Sequence, residues 1–417
     1  MTQGVLAELI PQQGWTFKPL WMIAPRTVEK GYAWANPLSV FLDVGVVPRS
    51  HRADNHNELG ADLTAYLHVL PGDLVFNKLR TWQGGLGVSG HEGIVSPAYF
   101  VCRPQEDVWP RFLNYLLLAA PYRAELTRLS KWMPPSQFDI SWDQLRTLPI
   151  LLPPLEKQRQ IADFLDDQVA LLDLAMALRR QQVALLAERL RAQVSTAYRS
   201  DVEQYGCVRL GLKLRGLEQG WSPQCEDRPA GAGEYGVLKA GCVNLGAFRP
   251  EQHKALPVHS QPRLQYLVQP GDLLMSRASG SLDLIGSVAL VPEGSPNNLI
   301  LCDKVYRLSL DASVDPGWLV HVLAALEVRE AIRLGTSGAE GMANNLPSGT
   351  VRALLLPNLP LEAQRKVSRT LTQRQEELLT AGTLLDRSQD LFRERKQALI
   401  TAAVTGEFDV TTARVVA

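Results

Sequence analysis

The stretch LPPLEKQRQI at residues 152–161 returns in the second half of the chain as LPLEAQRKV at residues 359–367. Identical residues of the two copies stand 206 positions apart, and in the first copy they are Pro154, Leu155, Glu156, Gln158 and Arg159. An internal repeat of this length predicts two structural units that are built on one frame. We therefore expect a chain with a pseudo-two-fold internal repeat.

Each copy of the repeat opens a long segment with the pattern of a helix. Residues 156–198 contain no Gly and no Pro, and one helix of that length would span about 65 Å. Apolar residues recur at every seventh position, which is the spacing of a coiled-coil seam. This seam line contains Val169, Met176, Val183 and Leu190 in the first helix and Leu371, Leu378, Leu385, Phe392 and Leu399 in the second helix.

The seam lines predict that the two helices pair with each other. The alternative is that they are two unrelated amphipathic helices, each packed on its own globular domain. Matched spacing at matched positions favours mutual pairing. Residues 201–356 lie between the two helices, and a connection of this size favours an antiparallel pair.

The remaining sequence forms two globular parts. Both are rich in Gly, Pro, Trp and Tyr, with short strand-like runs and one helix-like stretch each, at residues 111–129 (interrupted by Pro121) and 317–334. We predict an α+β fold in which two mixed α/β domains are separated by two long antiparallel coiled-coil helices. The expected parts are a first globular domain at 1–152, a central helix at 153–200, a second globular domain at 201–356, and a distal helix with a C-terminal tail at 357–417.

The composition excludes several classes of protein. The chain is 46% hydrophobic, which is too apolar for a disordered protein, and its 43 basic and 43 acidic residues argue against a sequence-blind nucleic-acid binder. Its 5 cysteines form no Cys-x-x-Cys pair, so they indicate neither a disulfide framework nor a zinc site. No apolar run has the length of a membrane span, and the N-terminus lacks the features of a signal peptide. We therefore expect a cytoplasmic protein with no membrane partner.

Candidate binding residues follow a strand-like run in the first globular part. The motif PGDL at residues 71–74 begins a strand that leads into a glycine-rich loop. Basic side chains can bind guanine or phosphate, amide side chains can bind adenine, and a Trp can pack against sugar. The alternative is that Trp82 is a core residue and that the basic residues are only solvated. The candidates in this loop are Lys78, Arg80, Trp82 and Gln83.

The second globular part repeats the motif PGDL at residues 270–273 but continues into a different loop. This loop carries Arg277 and Ser279 as candidates for binding nucleic acid. Different loops on the same strand imply that the two domains bind different sequences.

Further candidates precede the long helices. Lys131 and Gln137 lie before the first helix, and Asn344 and Asn345 lie before the second helix. Ordinary turn chemistry explains such residues nearly as well. Lys239, in the strand-like run GVLKAGCVN, is a candidate for contact with the nucleic-acid backbone.

No catalytic motif is present in the sequence. The chain has no Gly-x-x-x-x-Gly-Lys-Ser/Thr phosphate loop, and Asn36-Pro37 lacks the second Pro and the aromatic residue of an adenine methyltransferase signature. The histidines do not have the spacing of metal ligands. We therefore predict no catalytic residue, no metal ligand and no cofactor bound by this chain.

Taken in order, these motifs carry a resemblance to a known family. Two variable globular parts, each followed by a Pro-Leu-Glu-x-Gln-Arg helix start, resemble the DNA-specificity (S) subunit of Type I restriction-modification enzymes. The resemblance covers nearly the whole chain. Its other runs are PGDLVFNKLRTWQGGLGVSGHEGIVSPAY at 71–99, GVLKAGCVNLGAF at 236–248, PGDLLMSRASGSLDLIGSVALV at 270–291 and AAVTGEFDV at 402–410.

The resemblance implies a non-catalytic subunit that recognises a bipartite asymmetric site on double-stranded DNA. Each globular part would be a target-recognition domain for one half-site. The helices would hold two methyltransferase (M) subunits, and restriction (R) subunits would join this core. S-adenosylmethionine, ATP and Mg are then expected on the partner subunits.

Two other functions remain open from the residues alone. One is a self-contained DNA methyltransferase, against which the missing cofactor motif counts. The other is a coiled-coil adaptor of another defence system, whose domains bind DNA or protein. Binding of S-adenosylmethionine by the isolated chain distinguishes the first alternative, and competition between specific and scrambled duplexes distinguishes the second.

Overall fold

The computed structural model describes residues 4–9, 12–42, 44–52, 60, 62–133, 137–337 and 344–412. The chain divides into two compact units. The first unit consists of Met1–Arg179 with Arg387–Ala417, and the second unit consists of Arg180–Asp386.

The first globular domain consists of short strands and short helices. In chain order these are β1 Thr16–Pro19, α1 Leu20–Ile23, β2 Arg26–Thr27, β3 Leu38–Phe41, β4 Gly45–Pro48, β5 Leu67–Val69, β6 Leu74–Asn77, β7 Leu86–Val88, β8 Gly93–Val95, β9 Tyr99–Cys102, α2 Pro110–Leu118, α3 Ala120–Leu129, β10 Lys131–Met133, β11 Gln137–Asp139, α4 Trp142–Leu145 and β12 Pro149–Leu152.

The long helix α5 comes next. The second globular domain follows it, and the second long helix, α9, comes after that domain. In chain order the elements are α5 Leu155–Tyr205, β13 Cys207–Arg209, β14 Leu214–Gln219, β15 Gly236–Leu238, β16 His253–Ala255, β17 Leu273–Ser276, β18 Ala278–Ser279, β19 Val288–Leu290, β20 Leu299–Ile300, β21 Val305–Leu310, α6 Pro316–Leu323, α7 Leu326–Leu334, β22 Asn344–Asn345, α8 Ser348–Ala353, β23 Leu355–Pro357 and α9 Leu361–Thr405.

Each domain has its own central sheet of four strands, and the two sheets are built alike. The strand order is β2-β9-β6-β7 in the first domain and β14-β21-β17-β19 in the second, and all neighbouring strands are antiparallel. In both domains the strand that enters the domain pairs with the strand that leaves it, β1 with β12 and β13 with β23. The predicted α+β class and the internal repeat are therefore confirmed.

The helix-like stretch of each domain is broken into two helices. The break falls at Ala119 in the first domain and at Ala325 in the second, and both residues are extended and fully buried. Pro121, near the start of the second of these helices, marks the first break in the sequence. The prediction of one helix-like stretch over 317–334 was wrong. The apolar residues keep their helical spacing across Ala325, so the sequence pattern does not show the break. In this second break the Ser195 hydroxyl accepts a hydrogen bond from Leu326 N at 2.8 Å and so caps the new helix.

The two long helices end in the same way. Gly206 has φ 71° and follows α5, and Gly406 has φ 83° and follows α9. A glycine in this left-handed conformation is a common helix stop, because other residues are strained there. Gly382 lies inside α9 and does not interrupt it.

In the first unit α5 and α9 run antiparallel. Lys157 near the start of α5 pairs with Asp409 just beyond α9, and Asp173 further along α5 pairs with Lys396 of α9 at 2.7 Å. Between these two ion pairs, Leu165 of α5 shares one hydrophobic core with Ile400 of α9. The antiparallel pairing that the seam lines predict is thus present in this unit.

In the second unit the remaining portions of the two helices also share a core. Leu190 and Val194 of α5 pack in the same hydrophobic cluster as Leu371 of α9. Every residue of the predicted seam is buried or half-buried in the unit to which it belongs. These residues are Val169, Met176, Val183, Leu190, Leu371, Leu378, Leu385, Phe392 and Leu399.

Two negative findings apply to the described part of the chain. None of its helices is long and apolar enough to cross a membrane. Within the same residues, no three His, Cys, Asp or Glu side chains form a group that could hold a metal ion.

Candidate nucleic-acid interface

The end of the central strand places one basic residue in each domain. Lys78 follows β6, and Arg277 follows β17. Their backbones are fixed in the same way, since Lys78 N donates to Ala98 O at 3.4 Å and Arg277 N donates to Lys304 O at 2.8 Å. Ala98 and Lys304 stand 206 positions apart. Lys78 and Arg277 are therefore structural equivalents.

Both basic side chains lie over an aromatic ring of the neighbouring strand. Lys78 Nζ is 4.7 Å from the ring centre of Phe100, and Arg277 Cζ is 6.0 Å from that of Tyr306. Such cation–π contacts orient a charged group without neutralising it. Each side chain also donates to a backbone carbonyl, Pro97 O at 3.2 Å for Lys78 and Asp303 O at 3.3 Å for Arg277. A lysine has three donors and an arginine five, so both keep donors for a ligand.

A second segment joins the strand end in each domain. Ile140 N donates to Lys78 O at 3.3 Å, and Leu346 N donates to Arg277 O at 2.8 Å. Ile140 and Leu346 are both fully buried and stand 206 positions apart. Through these bonds the residues that precede each long helix lie beside the loop that follows the central strand. The two sets of candidates, far apart in sequence, thus share one site in each domain.

In the first domain an aromatic cluster connects the loop to the hairpin β10–β11. Phe138 lies between two tryptophans, with ring centres 4.8 Å from Trp82 and 4.9 Å from Trp132. Trp82 Nε1 donates to Leu79 O at 3.2 Å and the ring is half-buried, so Trp82 supports the loop. Trp132 is 49% exposed and is the aromatic residue that is available to a ligand.

The other candidates of the first domain lie at the same site. Arg80 and Lys131 are exposed, and Gln83 is half-buried. Gln137 belongs to β11, where its backbone pairs with Met133. Pro134 and Ser136, which precede Gln137 in the sequence, lie outside the described residues.

In the second domain Ser279, Asn344 and Asn345 come together. β18 pairs with β22, which places Ser279 opposite Asn344 and Ala278 opposite Asn345. The Ser279 hydroxyl accepts a hydrogen bond from Ser281 N at 3.1 Å, which shapes the loop. Both asparagines are half-buried. They lie directly beside Arg277, as the bond from Leu346 N requires.

Lys239 takes no part in the contacts described for Arg277, Ser279 and the asparagines, and its role stays a prediction. It follows β15, which belongs to a different sheet from β17, although Leu274 of β17 shares a hydrophobic core with Val237 and Leu238 of β15. Its charge contributes, after the stronger hydrogen bond from Lys254, to a lowered pKa of the Asp227 carboxyl. The expectation that GVLKAGCVN is one strand was wrong, because a 3-10 helix, Ala240–Gly246, begins directly after Lys239.

Three basic residues near the sites were not among the candidates. Lys304 is exposed and stands beside Arg277, where the first domain has Ala98. The repeat offset could have pointed to it. Arg26 lies with Cζ 4.9 Å from the ring centre of Phe100. Burial raises the pKa of the Tyr99 hydroxyl, and a backbone hydrogen bond with Val40 and then the charges of Arg49 and Arg80 partly offset this rise, so Arg49 lies near the start of β9.

The repeated aspartate of PGDL stabilises the turn that leads into the central strand. Asp73 is buried and accepts two hydrogen bonds from Arg103, at 3.0 and 3.1 Å, and it also caps the preceding turn by accepting from Leu70 N at 2.9 Å. The bond to Asp73 is the main reason that the pKa of Arg103 is raised. In the second domain Asp272 caps the same turn through Gln269 N at 2.9 Å. This aspartate has a structural role, which explains why both copies of the motif contain it.

Curated proteins with similar sequences are specificity subunits. The chain is 24% identical over 329 residues to the Type I restriction enzyme EcoKI specificity subunit of Escherichia coli K12, covering 73% of this chain and 68% of that protein. It is also 24% identical over 335 residues to the StySPI specificity subunit of Salmonella potsdam, again covering 73% and 68%. No protein-family model matches the chain.

Solved structures show the same fold. A chain from a structure described as the basis of complex assembly and conformational transition of the type I R-M system has a TM-score of 0.70 at 17% identity, covering 96% of this chain and 100% of that chain. The HsdS subunit of Thermoanaerobacter tengcongensis has a TM-score of 0.50 at 17% identity, covering 95% and 98%. The predicted resemblance is therefore confirmed: in sequence the chain is similar to specificity subunits of Type I restriction-modification enzymes, and these solved structures share its fold.

Proposed function

We propose that this chain reads a bipartite asymmetric site on double-stranded DNA and directs M and R subunits to it. The observation that carries the proposal is the repeated placement of Lys78 and Arg277. Each follows the central strand of its own sheet, lies over an aromatic ring and keeps donors for a ligand. Two equivalent positions in one chain supply two reading sites, one for each half-site.

The loops at these two positions differ in length and chemistry. In the first domain the loop between the paired residues Phe76 and Leu86 consists of residues 77–85 and is packed through Trp82. In the second domain the loop between Met275 and Val288 consists of residues 276–287 and contains β18. Base edges are read by side chains whose positions the loop sets. Different loops therefore read different half-sites, which makes the whole site asymmetric.

The basic residue also differs in kind between the two sites. The planar fork of Arg277 fits the O6 and N7 acceptors of a guanine, and the neighbouring Asn344 fits the edge of an adenine. Lys78 is a compact charge that suits a phosphate or a single acceptor. We expect a guanine contact from Arg277 in the second half-site. The zero net charge of the chain suits a reader that leaves much of the phosphate binding to its partner subunits.

Exposed leucines on the long helices are the basis for the partner proposal. Leu178 of α5 is 52% exposed, and its repeat equivalent in α9, Leu384, is 63% exposed. Leu185 and its equivalent Leu391 are 54% and 57% exposed. Large apolar residues that recur at an exposed position mark a protein-binding face. Because the face occurs twice, we propose that it binds two copies of one partner, the M subunit.

The partners would supply the chemistry in this arrangement. S-adenosylmethionine would bind to the M subunits, and ATP with Mg would serve the R subunits, while this chain contributes recognition and assembly. Titration of the isolated chain with S-adenosylmethionine should give no heat of binding. Tight binding would support the alternative of a self-contained methyltransferase.

The test of DNA reading is selection from random duplexes by the complex of this chain with its M subunits. At about 150 mM salt, where binding through phosphates alone is weak, we expect enrichment of one motif with two defined blocks and undefined bases between them. Binding without enrichment of any motif would support the adaptor alternative instead.

Native mass spectrometry tests the partner face. The complex should contain one copy of this chain and two M subunits. Leu178→Asp with Leu391→Asp places charges on the face in the first unit and should remove one M subunit. A one-to-one complex of the unaltered chain would contradict the proposal.

A further inference from the structure

The contact between the first recognition domain and the start of α5 is called here the first joint. At its centre lies Gln158, which is 1% exposed. Its Oε1 accepts a hydrogen bond from Trp109 N at 2.7 Å. Its Nε2 donates to Asp107 O at 3.1 Å and to Pro153 O at 2.9 Å. One side chain thus ties the loop before α2 and the end of β12 to the first turns of α5.

The contact between the second recognition domain and the start of α9, the second joint, has the same centre. Gln364 is 2% exposed. Its Oε1 accepts from Asp315 N at 2.9 Å, and its Nε2 donates to Ser313 O at 3.0 Å and to Leu359 O at 2.9 Å. The glutamine and all three of its partners stand 206 positions from their equivalents in the first joint. The complete set of bonds is therefore repeated.

Only a glutamine can make these three bonds at this place. The amide supplies one acceptor and two donors on a side chain of the required length. A carboxylate has no donor for the two carbonyls, and an apolar side chain would leave three backbone groups without partners in a buried place. Because each bond ends on the backbone, these bonds do not depend on the identity of the surrounding side chains.

We propose that Gln158 and Gln364 are positioning residues that set how each recognition domain is mounted on its helix, and thereby set the number of base pairs accepted between the half-sites. This inference rests on the proposed reading of a bipartite site. Neither glutamine is among the candidate binding residues: both lie in the first turns of the long helices, whereas Lys78 and Arg277 follow the central strands β6 and β17. We call the three hydrogen bonds of each glutamine a clamp. Loss of a clamp should loosen the spacing requirement and leave the bases read within each half-site unchanged.

The experiment uses the full chain in complex with its M subunits and duplexes that contain both half-sites. The duplexes carry the natural spacer or a spacer one base pair longer or shorter, and the methylation rate of each duplex is measured. Gln158→Leu and Gln364→Leu are compared with Gln160→Leu and Gln373→Leu, whose side chains are exposed on the same helices. In both clamp variants the preference for the natural spacer should fall about tenfold, as the loss of several buried hydrogen bonds predicts. The control variants should keep the natural preference.

The outcomes separate the clamp from the proposed function. If the unaltered complex shows no preference for its half-sites, the proposed function fails and this inference falls with it. If that complex is specific but a folded clamp variant keeps the full spacer preference, the clamp is only structural and the inference is overturned. A change in the bases read would overturn it as well. Where Gln158→Leu does not fold, Gln158→Glu, which has the same shape and keeps the acceptor for Trp109 N, takes its place in the comparison.

Discussion

The two joints share their clamp but differ in the contacts around it. In the first joint Arg111 of α2 pairs with Asp163 at 2.6 Å and also with Asp166 of α5. The Tyr115 hydroxyl donates to Asp166 at 2.7 Å. The first joint is therefore held by charged hydrogen bonds between α2 and α5.

The second joint replaces these charges by close packing and a neutral hydrogen bond. Gly317, His321 and Thr372 stand where the first joint has Arg111, Tyr115 and Asp166. A Cβ atom on Gly317 would lie 2.6 Å from Ser368 Oγ, so α6 and α9 are close here and a larger residue would require the Ser368 side chain to move. His321 Nε2 lies 2.9 Å from Thr372 Oγ1.

This difference shows which part of the repeat is constrained. The bonds between the glutamine and the backbone are the same in both joints, while the bonds between side chains have changed in chemistry but not in position. Tyr115 with Asp166 and His321 with Thr372 connect the same two points of the frame. The geometry of the joint is thus the same in both copies where backbone groups form the contacts. The side chains around these contacts differ between the copies, as the candidate recognition loops do.

The largest effect on stability is expected at the helix seam, of which each unit contains a part. Leu385 is half-buried, whereas the adjacent Leu384 is 63% exposed. Leu385→Asp should lower the free energy of unfolding by about 2 to 3 kcal/mol, because a charge without a partner is placed in an apolar seam. The matched variant Leu384→Asp should leave the thermal unfolding unchanged and weaken only M-subunit binding. Equal stability of the two variants would show that Leu385 is not part of a seam.

A smaller effect is expected when the charged contact of the first joint is removed. Tyr115→Phe deletes the donor to Asp166 and should cost about 1 kcal/mol in urea denaturation, because the bond is only partly buried. Tyr205→Phe, at an exposed position on α5, serves as the control and should cost nothing measurable. If the two variants are equally stable, the hydroxyl of Tyr115 does not hold the first joint.

The smallest effect separates the joints by pH. Burial lowers the pKa of His321, although the charge of Asp315 acts in the opposite direction. The unfolded chain then binds more protons than the folded chain once the pH falls below about 6.5, so the second joint should lose stability on acidification, by less than about 1 kcal/mol. His321→Gln keeps a polar group for Thr372 but does not titrate. Comparison of the two proteins in urea at pH 5.5 and 7.5 should show a steeper loss for the unaltered chain, and identical slopes would refute the assignment.

Much of the frame could be predicted from the sequence. The seam residues were visible because a coiled-coil line has a fixed spacing, and the helix starts were visible because they occur twice. The break at Ala325 was not predictable, since no Gly or Pro marks it and its cap is provided by Ser195, which is remote in sequence. The role of Gln158 and Gln364 was also hidden, because the repeat shows that they recur but not that they bind backbone groups.

The candidate site was predictable only in part. Lys78 and Arg277 were found because they follow a recognisable strand, but their stacking on Phe100 and Tyr306 depends on strand pairing that the sequence does not display. Lys239 was proposed from a local pattern, and the sequence does not show that β15 joins a different sheet from β17. Lys304 was missed, since it is a candidate only because its backbone carbonyl accepts the hydrogen bond from Arg277 N.

The most direct test of the central claim is a comparison of methylation by complexes with Lys78→Ala or Arg277→Ala on a library of random duplexes. The unaltered complex should methylate sites with two defined blocks. Arg277→Ala should relax one block, with a loss of discrimination of about 1 to 3 kcal/mol at one base pair, and leave the other block intact. Lys78→Ala should affect only the other block. If either variant relaxes both blocks equally, the two recognition domains do not read separate half-sites and the account is wrong.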